Sequence, residues 1–271
     1  MKKIRHNYSV AVLMTCHNRK DKTLRCLVGL LPQLTESDLV FLADDGSVDG
    51  TAETVENLDR KIRIVKGDGS LFWAKGMRLA WDAAEKSGPF DFVLWLNDDV
   101  ELYDNALENS FKDWESIGDG SAVLVGACEF GGECTYSATN AKDQKIIPNG
   151  SPQLASGWFN GNFALIPRTA YEKVGKICSD YSHARADYDY AERLKVAGIS
   201  FYVSSQYVGK CKSDFDAKIR KMGFLRRIAS LWSPGYFNLY DLYLIRSRYH
   251  GRFKAILSCL RLIQIVITGI K

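Results

Sequence analysis

The sequence predicts a mixed α/β fold. Its sheet is parallel in the N-terminal half, helices cover both faces, and a basic amphipathic helical tail follows. Three observations carry this. Apolar, β-branched runs alternate with helix-period segments through the first hundred residues. Each run ends in polar, acidic or glycine-rich residues. After residue 209 the charge balance changes sign.

Residues 10–15 form a continuous apolar run, the pattern of a strand buried on both faces. Residues 23–31 have helical spacing and stop at Pro32, because the residue before proline avoids helical dihedrals. A strand over 38–43, a helix over 51–58 and a strand over 62–66 follow. Residues 74–86 read as the next helix, ended by Ser87-Gly-Pro89, and 90–96 as a fourth strand. This β-α-β-α-β-α-β order requires crossover helices and parallel strands. Beyond Asp99 the pattern loosens. A helix over 105–114 leads into short strands with glycine turns over 121–147, read as an antiparallel meander. A strand over 163–166, helices over 168–174 and 187–197, and a strand over 200–203 complete the body. Gly198 supplies the second helix with its C-terminal stop.

The 271 residues are 46% hydrophobic and 25% charged, which excludes disorder and a disulfide-stapled miniature. Seven scattered cysteines with no C-x-x-C pair point to a reducing compartment rather than a disulfide frame or zinc site. The N-terminus lacks the apolar core and cleavage site of a secretion signal. No run reaches the ~18 uninterrupted apolar residues of a membrane span. Neither a Walker A pattern nor a G-x-G-x-x-G after the first strand is present, which argues against P-loop hydrolysis and dinucleotide redox chemistry.

Ligands of open parallel sheets bind at the carboxyl ends of the strands. Here those ends read Thr15-Cys-His-Asn-Arg19, Asp44-Asp-Gly-Ser-Val-Asp-Gly-Thr51, Gly67-Asp-Gly-Ser70 and Asn97-Asp-Asp99. One aspartate after a strand is ordinarily a turn or a cap. Four such ends on one edge point to a site. Asn97, Asp98 and Asp99 bring three short oxygen side chains together, and adjacent carboxylates repel unless a cation offsets them. A hard divalent ion, Mg²⁺ or Mn²⁺, sharing a diphosphate would do so. Gly69 permits close backbone approach, and Lys75 or Arg78 is placed to meet a phosphate.

These motifs, with Ala186-Asp-Tyr-Asp-Tyr-Ala-Glu-Arg193, resemble the inverting family 2 glycosyltransferases of GT-A fold, in order and spacing over about residues 8–209. The resemblance implies a nucleotide-diphosphate sugar as donor. Thr15, Asn18, Arg19, Asp44, Asp45, Gly69, Lys75 and Asp98 would bind it. Asn97-Asp-Asp99 stands at the family's D-x-D motif, so Asp99 and Asn97 would hold the divalent metal. Asp187 falls at the general base. Without the resemblance, an aspartate there is equally a helix N-cap. Asp189 lies beside it on the acceptor side and is also spaced for an ion pair with Arg193. Gly157-Trp-Phe-Asn-Gly-Asn162 resembles the acceptor loop, with Trp158 and Asn160 as contacts, although Trp158 is as well suited to a core. Two departures stand out: Trp73 in place of a usual arginine, and no histidine in Tyr207-Val-Gly-Lys-Cys-Lys212, where many relatives have a further metal ligand. A nucleotidyltransferase acting on sugar phosphates, or a catalytically dead nucleotide-sugar-binding membrane module, would share part of this pattern.

Residues 1–209 form the expected GT-A domain and 210–271 the tail. The tail holds thirteen Lys or Arg against three Asp, a net +10, which leaves the first 209 residues at −6. Phe224, Leu225, Ile228, Leu231 and Trp232 make one helical stripe, from a segment starting at Lys221. Phe253, Ile256, Leu257, Leu260, Ile263 and Ile267 make another, opposite Lys254, Ser258, Arg261 and Thr268. An apolar stripe with basic flanks suits an anionic membrane surface; it equally closes a core or a homo-oligomer interface. No nucleic-acid motif accompanies the charge. The expected setting is cytoplasmic, peripheral at the inner face of the cell membrane, with a lipid-linked or polysaccharide acceptor.

Overall fold

The computed structural model describes residues 7–181, 183, 185–213, 222–234 and 237–268. Among the described residues ten strands form one sheet. The first four are β1 (Val10–Cys16), β2 (Leu39–Asp44), β3 (Ile62–Lys66) and β4 (Phe92–Leu96), then come β5 (Glu101–Leu102), β6 (Val123–Phe130), β7 (Glu133–Tyr136), β8 (Gln153–Ala155), β9 (Phe163–Pro167) and β10 (Phe201–Lys210). Their order is β3-β2-β1-β4-β9-β6-β10-β5, with β7 on β6 and β8 on β10. The first four strands are mutually parallel, β9 runs against both β4 and β6, and β6 and β10 are parallel.

Strand side chains alternate faces, so β1 feeds two cores. Ala11 and Leu13 join one with Met77 and Trp81 of helix α3 (Phe72–Ser87). Val10, Val12 and Met14 join the other with Leu27 of α1 (Lys20–Leu30) and Phe111 of α4 (Ala106–Ile117). Helices α2 (Thr51–Glu56), α5 (Arg168–Val174) and α6 (Ala186–Val196) complete the body.

Two expectations change. Residues 121–147 are not a separate meander, because β6 sits inside the main sheet with its first six residues buried. The last body strand is ten residues long, and its polar centre, Ser204 to Gln206, masks it in sequence. Register shifts between Val203 and Tyr207 and again before Gly209 accommodate that centre, as bulges do.

The tail contains α7 (Phe224–Ala229), α8 (Leu239–His250) and α9 (Arg252–Thr268). Lys221 lies outside the described residues. Helix α8, unpredicted from sequence, packs on the body: Ile245 is buried in the first core, with Leu244 and Tyr249 against it. Leu231 is buried, while Trp232 is exposed. Helix α9 leaves Phe253, Ile256, Leu257, Leu260 and Ile267 about half exposed or more. All seven cysteines are free thiols.

Candidate active site

Strands β1, β4, β6 and β10 end on the same edge of the sheet, and the loop entering antiparallel β9 arrives there too. A cavity of about 740 Å³ opens on that edge. Thr15, Arg19, Asp45 and Asn97 to Asp99 line one side. Asn160, Asp187, His183 and Arg185 line the other, and Met222, Ser230, Pro234 and Phe237 of the tail close part of it.

On the first side the carboxylates are tied down. Asp45 Oδ1 accepts the Gly69 N–H (2.8 Å), and its Oδ2 accepts those of Leu71 (2.9 Å) and Phe72 (3.0 Å). Three of its roughly four acceptor positions therefore hold the loop before α3. Asp44 lies off the cavity and accepts the Ser47 N–H (3.1 Å). Asn18 also lies off it, joining the first two strand-end loops by accepting the Val48 N–H (2.8 Å). Gly69 and Lys75 do not line the cavity, and Arg78 turns to the Ile177 carbonyl (2.6 Å). Asp44, Asn18, Gly69 and Lys75, expected at the donor, thus lie outside the cavity lining; Asp44, Asn18 and Gly69 are engaged in the strand-end loops, and Lys75 is exposed on α3. Gly76 lets α3 cross over β1: a Cβ there would stand 2.2 Å from Thr15 Oγ1.

Arg19 spans both acidic residues after β4. Its Nη1 is 2.8 Å from Asp98 Oδ1 and its Nη2 is 2.5 Å from Asp99 Oδ2. Asp98 is 2% exposed, and burial raises its pKa to about 7 against the pull of Arg19. Asp99 is more open, with Lys22 at 4.0 Å and the Cys211 thiol donating at 3.5 Å. Cys211 thus reaches Asp99 from the end of β10, in the segment that lacks the expected histidine. Asn97, the other expected metal ligand, lines the cavity, and its Oδ1 accepts the Trp73 indole N–H (2.7 Å). The indole lies over Gly161, where a Cβ would meet the ring at 2.3 Å. Among the described residues no three His, Cys, Asp or Glu side chains converge as a closed metal site. Asp99 alone still fits a hard cation whose remaining ligands are phosphate oxygens and water.

The other side is built differently. Asp187 is the second residue of α6, and Arg185 occupies the N-cap with φ +72°. So Asp187 is not the cap. Its Oδ2 accepts the Gly161 N–H (3.1 Å), and its Oδ1 accepts the Tyr188 N–H (3.0 Å). Desolvation raises its pKa from 3.8 to about 6. Phe72 (φ +54°) also holds a left-handed backbone on the cavity wall, and each such residue stores about 1–3 kcal/mol of strain. His183 accepts the Trp73 backbone N–H on Nδ1 (3.2 Å), and burial lowers its pKa.

Two expected acceptor residues are placed elsewhere. Trp158 stacks on Tyr188 (4.2 Å between centroids) and donates to Asp143 (3.1 Å), so Tyr188 rather than Trp158 faces the cavity. Asp189 is fully buried away from it, bonded to Arg193 (2.9 Å), Arg248 (2.8 Å), Tyr249 (2.9 Å) and Tyr181 (3.2 Å). A helix turns 200° in two residues, so Asp187 and Asp189 face apart. Sequence reasoning missed Lys22, Arg185, Tyr188 and Lys212 as cavity residues. Lys22, one helical turn from Arg19, was detectable from spacing.

Sheet order, strand-end cavity and acidic loops together define a glycosyltransferase of GT-A fold. The chain belongs to the family described as glycosyl transferase family 2, whose model matches residues 11–175, more than half its length. No curated protein matches it. Similar solved structures include the mannosyltransferase PcManGT from Pyrobaculum calidifontis, in complex with GDP-Man and Mn²⁺ (15% identity, TM-score 0.55, 97% of this chain and 70% of that one). TarS 1-349 from S. aureus aligns at 13% identity and TM-score 0.56, over 96% of this chain and 81% of that one. GalNAc-T7, solved with UDP, GalNAc and Mn²⁺, aligns at 12% and 0.59, over 91% of this chain and 51% of that one. At these identities the likeness is one of fold.

Proposed function

We propose that this glycosyltransferase moves a sugar from a nucleotide-diphosphate donor to a hydroxyl of a lipid-linked or polysaccharide acceptor, with inversion. The observation carrying this reading is that Asp187 lines one cavity together with the Arg19–Asp98–Asp99 group. Asp187 takes the proton of the acceptor hydroxyl, and the oxygen bonds to the anomeric carbon. The bond from that carbon to the diphosphate breaks, and the nucleoside diphosphate leaves. A pKa of about 6 leaves Asp187 ionised at neutral pH yet basic enough to accept a proton. Arg19 and Lys22 face the charge that develops on the leaving group. A divalent cation, Mg²⁺ or Mn²⁺, held by Asp99 would add positive charge there. Trp73, fixed by Asn97, and Tyr188, backed by Trp158, supply aromatic faces for sugar rings.

The tail supports a site at the inner face of an anionic membrane. The exposed apolar residues of α9 fall in one arc of about 100°, at 100° per residue. Arg252 borders the arc on one edge, Lys254 and Arg261 on the other. Among the described residues no helix is long and apolar enough to cross a membrane, so the arc would lie along the interface.

A thermal-shift panel of UDP, GDP and other nucleoside diphosphates, with and without Mn²⁺, tests donor binding, since a ligand of the native state raises its melting point. Anomeric configuration of the product, read by NMR, tests inversion. Retention, or no response to any nucleotide, overturns the reading.

A further inference from the structure

We infer that Arg248 of the tail is a positioning residue for Asp187. This rests on the reading of Asp187 as the base. Among the described residues, the polar contacts of Arg248 fall on one stretch of the body, residues 178–189. Nη1 donates to Asp189 Oδ1 (2.8 Å) and Nη2 to Asp180 Oδ2 (2.9 Å). The Cys178 sulfur accepts at 3.6 Å, and the guanidinium carbon lies 5.8 Å from the Tyr181 ring centroid. Tyr249 adds a second bond from α8 to Asp189. The stretch is therefore gripped at both ends, and His183, Arg185 and Asp187 between them line the cavity.

Its backbone needs a grip. Arg185 is left-handed, and the Asp189 N–H bonds its carbonyl at 2.9 Å, closing the first turn of α6. Backbone held in a sparsely populated region persists only when its surroundings over-determine it. The fold itself does not depend on Arg248 to neutralise Asp189. Arg193, on the body side, binds Asp189 Oδ2 and the carbonyls of Val174 and Lys176. Loss of Arg248 thus leaves the buried carboxylate paired but releases one end of the stretch carrying Asp187. The tail, beyond lining the cavity, holds the base in place.

The test uses the full chain with Arg248→Ala and Arg248→Lys. Turnover is read as nucleoside diphosphate released from UDP-glucose or GDP-mannose in Mn²⁺, with water as acceptor. UDP and GDP binding is measured by calorimetry, and hydrogen exchange is followed along the chain. Small displacements of a reacting group cost up to about 100-fold, so kcat of Arg248→Ala should fall roughly 10- to 100-fold. Donor KM, nucleotide affinity and melting temperature should stay near wild type. Faster exchange should be confined to 178–189, and Arg248→Lys should recover part of kcat. Unchanged kcat overturns the proposal. So does a loss shared with nucleotide affinity, melting temperature and exchange across the body, which marks a purely structural role. If Asp187→Asn keeps full turnover, the base assignment itself fails, and exchange over 178–189 still decides whether Arg248 grips that stretch.

Discussion

The two sides of the cavity hold their carboxylates in opposite ways. On the strand-end side, Asp45 is bound by three backbone N–H groups, and Asp98 and Asp99 share one guanidinium. On the other, Asp187 accepts from the backbone N–H groups of Gly161 and Tyr188. The first arrangement ties its carboxylates to a loop and to a cation; the second leaves Asp187 with backbone donors alone, and desolvation raises its pKa to about 6. A site that binds an anion and also moves a proton needs both, and one kind of wall cannot supply them.

Asp187→Asn tests this contrast most severely. It removes the base but keeps the shape, so turnover should fall about 10²–10⁴-fold with nucleotide binding retained. In the wild type, turnover should rise as pH climbs through about 6 and level off above, as Asp187 loses its proton. The same ionisation weakens the fold. A native pKa above the ordinary 3.8 means the folded chain holds a proton that the unfolded chain releases, so this contribution declines between pH 3.8 and about 6.

Arg19→Ala attacks the strand-end side. It leaves Asp98 buried without its cation, which destabilises the fold. The melting temperature should drop and nucleotide binding should be lost with it, whereas Asp187→Asn separates the two. Equal stability of both variants would erase the contrast between the walls. Trp73→Phe sharpens it on a smaller scale. The variant loses the bond to Asn97, about 1 kcal/mol, so donor affinity should weaken about fivefold. Outside the cavity, Leu260→Asp should weaken binding to phosphatidylglycerol vesicles about tenfold, the low end of burying one leucine. Turnover on a soluble donor should stay unchanged. Equal binding to neutral vesicles, or a salt-insensitive dimer by light scattering, would assign the α9 arc to another partner.

Much of this was legible because the information is local. The first four strands and the helices between them follow from apolar runs and breakers, and the loops at their ends are contiguous in sequence. Asp45, Asp98 and Asp99 could thus be placed on one rim without coordinates. Where neighbours came from afar, local pattern misled. Asp187 and Asp189 look alike in Asp-Tyr-Asp, yet one faces the cavity and the other meets Arg248, 59 residues away. Trp158 looked exposed to a ligand until Tyr188 covered it. Helix α8 escaped notice because its apolar residues follow the body surface rather than a regular stripe.

By itself the sequence determined the parallel half of the sheet, the acidic rim and the excess positive charge of the tail, since short-range periodicity and composition decide these. Which carboxylates remain open to a ligand, which residues lie outside the cavity lining, and how α8 reaches the helix bearing Asp187 were decided only in three dimensions. Each depends on which distant donor arrives to satisfy a buried acceptor, and no stretch of chain encodes that alone.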